Sequence, residues 1–91
     1  MQYLRLLAES DSPRRYYQTT FEGTRWLWEA VEDHGDTVAI RQIEEDSGGV
    51  RRYWWGRRED EAAFLTDVSL DPGEGLEALS EAEFVARWSA D

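Results

Sequence analysis

Cysteine is absent from this 91-residue chain, which excludes disulfides, zinc–thiolate sites and cysteine nucleophiles. Lysine is absent as well. All ten basic residues are arginine, so the cations are flat, bidentate and suited to stacking rather than compact ammonium groups. His34 is the single histidine, too little nitrogen for a histidine-based metal site, and no carboxylate run has calcium-loop spacing. No stretch approaches the roughly 20 apolar residues that a membrane-spanning helix needs. MQYLRLLAES has too short an apolar run, and no small-residue cleavage pattern, for a signal peptide. These absences point to a soluble, cytoplasmic protein. Positive charge is scarce: ten basic residues against twenty acidic ones leave a net charge of −10, which disfavours DNA and anionic membranes and attracts a basic protein partner.

The length fits one domain over residues 1–91, able to bury about 60–65 per cent of the surface its unfolded chain exposes. Its organising stretch is TVAIRQIEEDSGGVRRYWW, residues 37–55, where two runs suited to strands meet at Asp46-Ser47-Gly48-Gly49 and predict a β-hairpin. Ile43 falls out of phase with Val38 and Ile40, which predicts a bulge or burial on both faces. Gln2 to Ala8 reads as a strand apolar on both sides, ended by Ser10-Asp11-Ser12-Pro13. Arg14 to Gly23 reads as extended chain. Arg25 to Asp33 fits a helix capped by Thr24 or a strand turned back by Asp33-His34-Gly35-Asp36. The strand is preferred, because the hairpin needs a third partner to be stable in water.

Gly56 to Ala63 should leave the sheet, Phe64 to Leu70 to pair briefly or pack as a loop, and Asp71-Pro72-Gly73-Glu74-Gly75 to act as a linker. A helix start follows: Ser80 as N-cap, Glu83 as its capping-box partner, and Leu79 placed to staple onto Phe84. Phe84, Val85 and Trp88 then share one face. The expected fold is α+β, an antiparallel meander of three to five strands with one C-terminal helix packed on a face.

Arg41, Ile43, Asp46, Gly49, Tyr53, Glu59-Asp60-Glu61, Leu70-Asp71, Ser80, Glu83-Phe84 and Trp88 together form a pattern over the C-terminal two-thirds of the chain. On these residues the chain resembles a family of small acidic bacterial domain-of-unknown-function proteins of immunity-protein type. It departs from that pattern at Trp54-Trp55-Gly56, where more polar residues are expected, and in its N-terminal third. The resemblance implies an α+β fold and a toxin-neutralising role, with no activity to carry over. Trp55-Gly56-Arg57 also resembles the signature of the WGR domain, over three residues only.

Large rings fill the core of a small domain economically, and Trp26 and Trp88 are read that way. Trp54 and Trp55, adjacent on a strand, face opposite sides. With one face covered by one helix, one of the two rings should lie exposed as a partner or dimer contact. Arg51, Arg52, Arg57 and Arg58 flank these rings in a pattern that also suits single-stranded nucleic acid. Pairing with Glu59, Asp60 and Glu61 is the plainer expectation. His34 belongs to a solvated turn, and neither a nucleophile elbow nor a phosphate-binding glycine loop is present. Glu44-Glu45-Asp46, Glu59-Asp60-Glu61 and Asp67 through Glu77 are solvated charge or a surface that docks a basic partner. The expectation is a non-catalytic module without cofactor or metal, immunity- or antitoxin-like, binding a basic partner through Arg51, Arg52, Trp54, Trp55, Glu59, Asp60 and Glu61. Its alternatives are an accessory homodimerisation module and an RNA-binding module using residues 51–58.

Overall fold

A computed structural model describes residues 2–61, 63–66 and 69–90. The element order is α1 (Gln2–Glu9), β1 (Arg14–Phe21), β2 (Thr24–Asp33), β3 (Asp36–Asp46), β4 (Gly49–Trp54), β5 (Glu77–Ala78) and α2 (Glu81–Ser89). The strands form one antiparallel sheet in the order β4-β3-β2-β1-β5. Two of its hairpins turn on residue pairs in which both members have positive φ, Glu22-Gly23 and His34-Gly35. That conformation matches the twist of the flanking strands, and glycine adopts it without a Cβ clash. It draws Arg14–Phe21 into full pairing with β2, where the sequence indicated only extended chain.

Strand alternation gives the sheet two faces, and both are covered. Tyr16, Leu27 and Ile43 form one cluster with Leu79 and the fully buried Phe84 of α2. Trp28, Ala39 and Tyr53 form the other with Leu4 of α1 and Leu65 of the segment after β4. Five consecutive residues of β2, Leu27 to Val31, are buried, which only a strand covered on both sides can achieve. A bulge in β3 helps: Glu29 pairs with Arg41 and Ala30 with Ala39, leaving Ile40 as an extra residue, itself buried.

Two expectations need correction. Gln2 to Ala8 is helix, not strand: Leu4 is buried and Leu7 and Ala8 are half-buried at helical spacing, while Tyr3 and Leu6 are exposed. A strand would have needed its apolar residues buried on both sides. Because α1 exists, the sheet face opposite α2 is not bare. In α2, Val85 turns outward at 41 % exposure, while Phe84 and Trp88 stack with ring centroids 6.0 Å apart.

The start of α2 follows the sequence signal. Ser80 Oγ accepts from the Glu83 backbone N–H at 3.1 Å and donates to Glu83 Oε1 at 3.1 Å. Leu79 packs in the same cluster as Phe84. Burial of Phe84 should therefore outweigh the cap. Phe84→Ala is expected to cost roughly 3–5 kcal/mol and Ser80→Ala roughly 0.5–2 kcal/mol. Urea midpoints check the order, and a larger loss for Ser80→Ala would show that α2 is held by its cap rather than its ring.

Candidate functional site

At the centre of the sheet three polar residues stand side by side on the face beneath α2. Tyr16 of β1 lies opposite Glu29 of β2, which lies opposite Arg41 of β3. Arg41 grips the Glu29 carboxylate with Nε at 2.6 Å from Oε1 and Nη2 at 3.0 Å from Oε2, and Tyr16 Oη donates to Oε2 at 2.8 Å. The Glu29 side chain is only 7 % exposed. Burial by itself would raise its pKa; the hydrogen bonds from Arg41 and Tyr16, with the charges of Arg41 and Arg14, outweigh burial and hold it below the ordinary value of 4.5. Burial first, then the bond to Glu29, raise the Tyr16 hydroxyl well above its usual range. The outer surface of the Arg41 guanidinium is covered by rings, 5.2 Å from the Phe84 centroid and 4.8 Å from that of Trp88.

This ion pair borders a cleft of about 600 Å³, lined by Ala8, Arg14, Glu29, Arg41, Arg52, Trp54, Trp55 and Trp88. Trp54 meets Trp88 edge-on at 5.8 Å. Trp55, one residue past β4, packs against the cluster beneath α1, while Trp54 lies on the α2 side, and both rings reach the cleft. Gly56 makes room for the first of them: a Cβ there would lie 2.7 Å from Trp54 Nε1. On its other side Trp55 carries the Arg5 guanidinium at 5.1 Å. Both rings are half-buried, so the expected division into one buried and one exposed ring does not occur.

The seven residues expected at a partner site thus separate. Arg52, Trp54 and Trp55 meet at the cleft. Arg51 points from the opposite face and binds Asp46 Oδ2 at 2.8 Å and Glu44 Oε1 at 3.4 Å. Asp60 braces its own loop, with Tyr53 Oη donating to Oδ1 at 3.0 Å and the Ala63 N–H at 3.1 Å, while Arg57 lies 3.3 Å from Oδ2. Burial, then the Asp60 bond, push the Tyr53 pKa up to about 12. Glu59 and Glu61 are exposed. Of the strand-flanking arginines Arg57 pairs with Asp60, while Arg52 turns instead to the end of α2, donating from Nη2 to the carbonyls of Arg87, at 3.1 Å, and Ala90.

Arg14, Glu29, Arg41 and Trp88 complete the cleft without having been read as site residues. The signal was there: Glu29 and Arg41 are charges inside the mostly apolar runs LWEAV and AIRQI, where each needs the other. His34 is fully turned to solvent, its side chain 92 % exposed and 3.8 Å from Asp33. Asp67, part of an expected acidic cluster, lies outside the described residues. Among the described residues no group of three or more metal-ligating side chains could hold an ion, and no helix is long and apolar enough to cross a membrane. Comparison with protein-family models, curated proteins and solved structures finds no match.

The buried pair makes stability depend on pH. Because the folded pKa of Glu29 lies below its unfolded value, its contribution is complete above about pH 4.5 and is lost as pH falls through the folded value. Glu29→Gln should cost roughly 3 kcal/mol at neutral pH, the lower end of what breaking a buried pair costs, since Arg41 keeps some solvent contact. It should also flatten the acid limb of the stability curve. Denaturant titrations from pH 3 to 7 check both; a parallel acid limb in the variant would show that Glu29 is not the linked group.

Proposed function

We propose that this chain is a non-catalytic, acidic protein-binding module of immunity or antitoxin type that neutralises a basic protein partner. The observation that carries the reading is how charge is distributed. Arg5, Arg15, Arg25, Arg41, Arg51, Arg57 and Arg87 form ion pairs within the fold. Between Arg58 and Arg87 there are nine acidic residues and no basic one. Of these, Glu59, Glu61, Asp71, Glu74, Glu77, Glu81 and Glu83 are exposed, along the segment that leads from β4 past β5 into α2. A one-signed surface of this kind steers an oppositely charged protein and rejects like-charged ones. The resemblance to small acidic immunity-type proteins agrees with it. For the RNA-binding alternative over residues 51–58, two of its four arginines, Arg51 and Arg57, are already paired with carboxylates.

The test is association kinetics with the partner recovered from the native host. The partner should be basic, and association should slow by about tenfold or more from low to high salt, as steered encounters do. Reversing Glu59, Glu61, Glu77 and Glu81 to Arg should slow it further at low salt and flatten the salt dependence, while His34→Ala leaves it unchanged. An acidic partner, or association indifferent to salt in the native chain, contradicts the reading.

A further inference from the structure

The cleft beside the Glu29–Arg41 pair differs in sign from the rest of the molecule. Its charged lining is Arg14, Arg41 and Arg52 against the single carboxylate of Glu29, in a chain whose net charge is −10. Arg41 neutralises Glu29. The other two guanidiniums meet neutral acceptors. Arg14 donates to the carbonyls of Ser12, Ala8 and Ser10 at 3.0, 2.6 and 3.2 Å, closing the end of α1. Arg52 does the same at the end of α2. Carbonyls satisfy N–H groups but leave a full charge uncancelled, and among the described residues neither arginine has a carboxylate partner within ion-pair distance. Arg52 Nε is, in addition, buried without any acceptor.

The remaining lining is aromatic: Trp54, Trp55 and Trp88. Indole faces and guanidinium planes both stack on flat rings. The volume, about 600 Å³, lies within the roughly 300–1,000 Å³ typical of small-molecule sites. The acidic exterior does not prevent an anion from binding there, because at physiological salt charges beyond about 8 Å are largely screened. Of the charges lining the cleft, the two outside ion-pair distance of a carboxylate among the described residues, Arg14 and Arg52, are cations.

We propose that this cleft binds a small flat anion, an aromatic ring bearing a carboxylate or phosphate, with the ring among Trp54, Trp55 and Trp88 and the anionic group at Arg14 and Arg52. The site is distinct from the acidic surface proposed to meet a protein partner and does not depend on it.

The five indole N–H resonances offer a direct reading by ¹⁵N-resolved NMR. Trp28 is the internal reference, since its Nε1 donates to Gln42 Oε1 at 2.8 Å inside the core. The probes are 2-naphthoate, 2-naphthyl phosphate and, with the same ring and the opposite charge, 2-naphthylmethylamine. At least one anion should move the Trp54, Trp55 and Trp88 signals saturably while Trp28 stays fixed and the amine does nothing; which anion binds more tightly identifies the anionic group. Arg52→Gln should weaken that binding at least tenfold with the Trp28 signal in place. Failure of both anions, or equal shifts with the amine, overturns the proposal on the native chain alone, even if the variant does not fold.

Discussion

A carboxylate 7 % exposed in the middle of a five-stranded sheet is tolerable only if a cation reaches it, and the Glu29–Arg41 pair is the constraint on which this fold turns. The two residues are direct cross-strand neighbours, so their contact fixes the register of β2 against β3 on one side of the Ile40 bulge. Tyr16 extends the lock to β1. A slip of β2 by one residue would carry Glu29 to the other face, away from both Arg41 and Tyr16. The same guanidinium supplies the surface on which Phe84 and Trp88 rest, so the sheet and α2 share one charged contact as well as an apolar one.

Arginine has a consistent role elsewhere. It closes the ends of both helices through Arg14 and Arg52, ties β2 and α2 to Glu45 through Arg25 and Arg87, and clamps the β3–β4 hairpin through Arg51. A forked, permanently charged donor suits all of these places, and a lysine ammonium would serve few of them. With its cations so committed, the protein shows the solvent mainly carboxylates. The cleft is the exception, because there two arginines are satisfied by carbonyls.

The sheet was largely legible. Residues 37–55 carry an alternating pattern and a glycine turn, and Ser80, Glu83 and Leu79 mark the start of α2, all of which the structure contains. The need for a third strand correctly favoured strand over helix for residues 25–33. The first helix was missed because five apolar residues in seven swamp a helical period of which Leu4, Leu7 and Ala8 are the buried part. That error carried into the site: with α1 unseen, one sheet face looked bare and one of the two rings was expected to lie exposed on it, whereas Trp55 packs against the cluster beneath α1 and Trp54 against Trp88 of α2. Arg51 pairs with Asp46 and Glu44 across the β3–β4 hairpin, a partner choice that the predicted hairpin implied and that was overlooked in favour of residues 59–61. What one sequence read locally does not contain is the long-range placement of α1 over the sheet.

The central claim is that Glu29 and Arg41 stabilise the fold as a unit and not as two independent polar residues. A double-mutant cycle of Glu29→Gln and Arg41→Gln, followed by urea unfolding at pH 7, measures that coupling. The account predicts that the double variant is less destabilised than the sum of the singles by clearly more than about 0.5 and up to roughly 3 kcal/mol, the range for residues in one ion-pair network. Losses that add to within about 0.5 kcal/mol, as for distant sites, would contradict it.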